Sequence, residues 1–229
     1  PAAGLYRFDV TKFRSAEAET AWTSFKTLWQ YTNPASTTYD FMQEPLLTGD
    51  VWIAFDHIAR LGEAFNQRPD DFVAFPAPAG PKGRAFMPVL AGIAVPSTAP
   101  DAAKAKELVA YMMQPAQQVA TLIATNFFPT TDAPLPADLP NAARALGPAV
   151  TAMTSAPDAL PALLPIGLGD KGGLFNQVYV DTFERAVLAG QDLRQVLDQQ
   201  AEALRAVMNE AGAPCWLPDA PSQGACPVD

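Results

Sequence analysis

Glu44-Pro45-Leu46-Leu47-Thr48-Gly49-Asp50-Val51-Trp52-Ile53-Ala54-Phe55-Asp56-His57-Ile58-Ala59-Arg60-Leu61 carries three structural signals in one short stretch. Residues 41–47 form a short amphipathic segment closed by Gly49, a residue suited to the left-handed turn that ends a helix. Val51-Trp52-Ile53-Ala54-Phe55 is an apolar, β-rich run of strand length, with Trp52 and Ala54 on one side. Asp56 then has the chemistry of a helix N-cap, and Ile58, Leu61 and Phe65 follow at helical spacing until Pro69. Strand, cap and helix in that order predict an α/β fold.

The same alternation extends in both directions. Upstream, Ala18, Ala21, Trp22, Phe25, Leu28 and Trp29 form a helical stripe that ends before Asn33-Pro34, and Trp22 and Trp29 are expected in the core. Downstream, residues 72–75 predict a second strand, and the Pro/Gly-rich residues 76–84 predict an exposed loop. Val89-Leu90-Ala91-Gly92-Ile93-Ala94-Val95 predicts a buried strand in which Gly92 permits close approach of another backbone or a ligand. Thr98-Ala99-Pro100-Asp101 has capping-box spacing ahead of a stripe of Ala105, Leu108, Val109 and Met112. Pro115 opens a further helix bearing Val119, Leu122 and Ile123.

Residues 133–165 are rich in Ala and Pro with weak periodicity, and no element is assigned to them. Beyond them, Phe175, Val178, Phe183, Ala186 and Val187 form one stripe that Gly190 stops. Asp192 and Gln195 then make a capping box for Val196, Leu204, Val207 and Met208.

Composition narrows the function classes. The 229 residues include 49% apolar and 17% charged residues, which is globular rather than disordered, and 23 prolines imply many rigid connections. A formal charge of −9 with no Lys/Arg cluster excludes a nucleic-acid surface and disfavours an anionic membrane. No run reaches the roughly 18 apolar residues of a membrane span. Pro1-Ala2-Ala3-Gly4 carries no targeting signal, which leaves export undecided. Cys215 and Cys226 lie in a Pro/Gly-rich tail where a bridge is sterically easy and would favour an oxidising compartment; two unpaired thiols are the alternative.

Enzymatic chemistry lacks an inventory. His57 is the single histidine, so a metal site would need carboxylates alone, and no nucleophile elbow or Cys/His pair occurs; neither metal nor cofactor is expected. A polysaccharide-cleaving site would need a second carboxylate, and Asp56 has only Asp50 or Asp170 to offer.

Asp56, His57 and Arg60 instead gather a carboxylate, an imidazole and a guanidinium at a helix start, a mixture that suits ligand hydroxyls. The plainer alternative is that Asp56 caps the helix and Arg60 pairs with it at the surface. Trp52 could stack on a sugar ring, or could pack in the core. Gly167-Leu168-Gly169-Asp170-Lys171-Gly172-Gly173 runs into the Phe175 helix and could bring main-chain amides, with Asn176 or Gln177, towards a ligand; it also suits a flexible loop. Lys82, Arg84 and Arg60 are the cations that would have to converge on a phosphate if the solute were an anion such as glycerol phosphate.

Taken together, the stretch 44–51 leading into strand and helix, Phe75-Pro76-Ala77-Pro78-Ala79-Gly80-Pro81-Lys82-Gly83, Gly92-Ile93-Ala94-Val95-Pro96 before the Asp101 helix, and Ala189-Gly190 between two helices resemble the C-terminal part of the family 1 extracellular solute-binding proteins. That group includes maltose-binding and related sugar-binding proteins. The resemblance implies a periplasmic-binding-protein-like, type II, two-lobed α/β fold with a carbohydrate held between the lobes, no cofactor and no reaction. It implies a transmembrane permease of an ABC importer as partner, a periplasmic or cell-surface location, and a monomer when complete.

On that scheme residues 1–88 begin the C-terminal lobe, 89–97 cross the hinge, 98–130 lie on the N-terminal lobe, 131–213 complete the C-terminal lobe, and 214–229 form a disulfide-closed tail. Trp52, Asp56, His57, Arg60, Gly92, Phe175, Asn176 and Gln177 are the expected ligand-binding residues. A complete member is about twice this length, so the resemblance also implies apolar faces that further chain would cover.

Overall fold

Caps and stop residues set the helices of this chain. In the computed structural model, which describes residues 10–162, 165, 167–215, 221–226 and 228, they are α1 (Ala16–Trp29), α2 (Gln43–Thr48), α3 (Ile58–Gln67), α4 (Ala102–Met112), α5 (Pro115–Thr125), α6 (Asn141–Thr154), α7 (Gly172–Phe183) and α8 (Leu193–Ala211). The described strands are β1 (Arg84–Phe86) and β2 (Ala159–Pro161), paired in one small sheet. The fold is thus helix-rich with a minor β component. Expectations for Pro1-Ala2-Ala3-Gly4 and for Trp216-Leu217-Pro218 lie outside the described residues.

Two compact units divide the chain. One comprises Pro1–Thr32 with Leu160–Asp229, and the other comprises Asn33–Ala159.

In the first unit, the Asp192 side chain accepts the Gln195 N–H at 2.8 Å and starts α8, whose inward stripe includes Val196, Leu197, Ala201, Leu204 and Met208. Of these, Leu197, Ala201, Leu204 and Met208 pack with Phe13, Leu168, Phe175, Val178, Ala213 and Cys226 as one core. Helix α7 passes into a π-helical turn, Glu184–Leu188, before Gly190 ends it in the left-handed conformation. Ser15 caps α1 by accepting the Ala18 N–H at 3.2 Å. The aromatic stripe of α1 forms as expected but lies at the margin. Trp22 packs against the edge of the core and Trp29 meets Phe183 edge-on at 4.9 Å, so both tryptophans are half-buried because α7 and α8 already fill the centre.

The bridge between Cys215 and Cys226 is formed, with 4.7 Å between Cα atoms. It draws the tail back over the end of α8. The Cys226 N–H donates to the Ala213 carbonyl at 2.8 Å, the Cys215 N–H donates to Ser222 Oγ at 2.8 Å, and Cys226 itself is buried.

In the second unit, α3 and α6 pack face to face through Phe65, Ala142 and Leu146. Asn66 links them further by accepting the Ala142 N–H at 3.1 Å. Helix α6 occupies the Ala/Pro-rich stretch that periodicity left unassigned, and Pro148 lies within it. Helix α4 begins at Asp101, which accepts the Lys104 N–H at 3.0 Å, so the cap is Asp101 rather than Thr98. Pro115 opens α5 at its first turn, and Asn126 closes it with a positive φ of 60°.

Residues 51–55, 72–75 and 89–95 were expected as strands, and none of them is one. A strand is stable only when a neighbour satisfies its N–H and C=O groups. Among the described residues no segment pairs with these three. Many of their side chains stand open instead, with Trp52, Ile53, Phe55, Val73, Phe75, Val89, Leu90 and Ile93 exposed, while Phe72 and Ala74 pack against the core of the second unit. The loop expected over 76–84 is present, turned by a Gly80 to Gly83 bridge, and β1 begins at its end with the Arg84 N–H donating to the Asp158 carbonyl at 2.8 Å.

Candidate functional site

His57 is the residue around which the polar corner of the second unit is built. Its backbone is extended, and its Nδ1 accepts the Ala59 N–H at 3.2 Å, so His57 is the N-cap of α3. Asp56 was expected in that role. It sits one residue too early for the first free amides of the helix and does a different job. Asp56 Oδ1 accepts the His57 N–H at 2.7 Å, and Oδ2 accepts the Met42 N–H at 3.0 Å, which ties the corner to the start of α2. A second tie runs beside it, where Gln43 Oε1 accepts the Glu63 N–H at 3.0 Å.

Arg60 lies one helical turn on. Its guanidinium is 3.9 Å from Asp56 Oδ1 and rests over the Phe41 ring at 5.4 Å from the centroid. The His57 ring meets Phe127 at 5.1 Å between centroids. The turn carrying Phe127 is anchored next to it, because the Asn126 side chain fills the space above Gly62 that a Cβ would otherwise occupy.

Asp56, His57 and Arg60 are therefore brought together as expected. Phe41, Met42 and Phe127 complete the corner and escaped sequence reading, since only folding joins positions so far apart in the chain. Trp52 is 95% exposed, so it is neither a strand residue nor a core residue, and its indole is free to receive a ligand. Among the described residues nothing lies within 4 Å of the Cβ that Gly92 lacks, so none of them approaches closely there. Arg84 is committed to its own loop, where its guanidinium donates to the Ala77 carbonyl, and Lys82 is exposed.

The other expected ligand residues belong to the first unit. Phe175 is buried in its core and meets Tyr179 at a tilt, 5.5 Å between centroids. The periodicity that put Phe175 in the apolar stripe of α7 predicted this better than its place near the helix start. Asn176 is exposed, and Gln177, also exposed, donates to Asp181 Oδ1 at 2.7 Å. The glycine loop ahead of them forms a 3-10 turn, Gly169–Lys171, pinned by an ion pair of Lys171 with Glu210 at 2.8 Å.

Residues 2–146 match the family model of the bacterial extracellular solute-binding proteins. The chain belongs to this family. No curated protein matches it significantly. The matched region contains the Asp56, His57 and Arg60 corner and Trp52 and ends before Phe175, Asn176 and Gln177. Membership in a non-enzymatic, extracellular family makes this chain a solute-binding protein of the cell exterior, with transport of a small molecule as its role.

Proposed function

We propose that the chain is the substrate-capturing component of an ABC-type importer and that its solute is a small carbohydrate, which it presents to the membrane permease. Family membership supports solute capture. The carbohydrate is supported by Trp52, an indole left 95% exposed four residues ahead of the polar corner. A free aromatic face offers flat apolar area to the C–H groups of a pyranose, while fixed polar groups nearby read its oxygens. In this proposal the chain contributes to a two-lobed, type II fold that closes on its ligand. The exposed apolar runs at 51–55, 72–75 and 89–95 support completion of that fold by further chain.

The test is a titration of the full chain with a panel of mono- and oligosaccharides, polyols, amino acids and short peptides, followed by tryptophan emission. At least one saccharide is expected to shift the emission of the protein, and Trp52→Ala is expected to lose that shift. Response to amino acids or peptides with none to any saccharide or polyol would overturn the carbohydrate assignment.

A further inference from the structure

We propose that the solute seated at the corner of Asp56, His57 and Arg60 carries an anionic group, a carboxylate or a phosphate. The inference rests on the proposed capture of a saccharide and narrows it to a sugar acid or sugar phosphate. Its basis is a count of which lone pairs and hydrogens the corner has left to offer.

Asp56 is the carboxylate of the corner and was expected, with His57 and Arg60, to bind ligand hydroxyls. Its side chain is only 12% exposed, and both oxygens are engaged, Oδ1 by the His57 N–H at 2.7 Å with Arg60 beyond it, and Oδ2 by the Met42 N–H at 3.0 Å. Each oxygen thus already holds a backbone N–H, and with the side chain 12% exposed little of its remaining acceptor capacity reaches solvent. In His57 the acceptor nitrogen is spent as well. Because Nδ1 receives the Ala59 N–H at 3.2 Å, the ring hydrogen of the neutral imidazole is on Nε2, and the atom left over is a donor.

Arg60 adds only donors. It is 55% exposed, and at 3.9 Å its contact with Asp56 is a loose surface pair of small worth, which leaves the guanidinium available. The Phe41 ring beneath it fixes the plane of the fork. Among the side chains of the corner, the groups left facing solvent are therefore mainly donors.

A neutral hydroxyl matches such a surface poorly. Its oxygen can accept, but its own hydrogen meets a surface with many donors and little accessible acceptor, and a polar hydrogen left unpaired carries a desolvation penalty. A carboxylate or phosphate has acceptors only, and its bonds to a guanidinium are charge-assisted. The chain as a whole has a formal charge of −9, so attraction of an anion has to be local.

The experiment uses the full chain labelled with nitrogen-15. His57 is the only histidine, so its ring signals identify themselves. Glucose, glucuronate and glucose 6-phosphate are added in turn at tens of millimolar, with sodium chloride at matched ionic strength as the control. The expected result is the Nε2–H tautomer in the free protein and a saturable shift of Nε2 with glucuronate, glucose 6-phosphate or both. Glucose should bind at least about tenfold more weakly, and Arg60→Gln should weaken the acidic probes about tenfold or more, as loss of a charge-assisted bond requires.

A response to glucuronate alone identifies a carboxylate, and a response to glucose 6-phosphate alone identifies a phosphate. Glucose binding as tightly as the acidic probes leaves saccharide capture standing and overturns the inference. A shift with sodium chloride equal to that with the acidic probes also overturns it, as does no shift with any of the three sugars. The saccharide panel followed by tryptophan emission then decides the broader assignment separately.

Discussion

A single residue of register separates the expected corner from the observed one. Asp before a helical stripe is a good cap by residue type, yet His57 takes the cap and frees Asp56 to join two elements. That substitution of roles was not legible, because it depends on Met42, whose N–H reaches Asp56 only through folding. Phe175 shows the opposite case, where periodicity gave the right environment, a buried place in the core of the first unit. Phe175→Leu is expected to lower the stability of the first unit by about 1–2 kcal/mol, as a modest large-to-small change in a packed core does. It should leave solute affinity unchanged, as measured by denaturant unfolding and titration side by side. A large loss of affinity with little loss of stability would return Phe175 to the binding surface.

Among the elements, those written by local chemistry were readable. Capping residues and helical stripes located α1, α3, α4, α5, α7 and α8, since each depends on residues within a few turns. Helix α6 escaped because its buried positions include Ala142 and Ala143, which contribute little hydrophobic contrast, and because Pro148 argues locally against a helix. The tail was readable from its two cysteines. Bridging residues separated by 11 positions contributes about 3 kcal/mol in the chain-entropy model. Cys226 also plugs the core. Reduction, or paired Cys215→Ser and Cys226→Ser changes, should therefore lower the midpoint of thermal unfolding; an unchanged midpoint would show that the tail closes nothing.

Two groups in the same unit set its response to alkali. The Lys171 ammonium is held above its ordinary value of 10.5 by its hydrogen bond to Glu210 and by the carboxylate's charge. Burial pushes the Tyr179 phenol above its ordinary 10.0. Each group binds its proton more tightly folded than unfolded, so their stabilising effect is complete below about pH 10 and is lost as pH rises through the folded values. Thermal melts across that range should show a falling midpoint, with a shallower fall in Lys171→Met. A midpoint that stays level or rises would contradict the assigned shifts.

At the scale of the molecule, the strands were the part that sequence could not deliver. Val51-Trp52-Ile53-Ala54-Phe55 and Val89-Leu90-Ala91-Gly92-Ile93-Ala94-Val95 have the composition of strands, but a strand is a property of a pair, and the described residues supply no partner. The family was legible in the order of several motifs, and the family match bears it out. The location of the solute is the central claim, and hydrogen exchange followed by mass spectrometry, with and without the saccharide that shifts tryptophan emission, tests it most directly. Protection should appear in peptides covering Met42, Trp52, His57 and Arg60. Protection confined to peptides around Asn176 and Gln177, with none at the His57 corner, would contradict it.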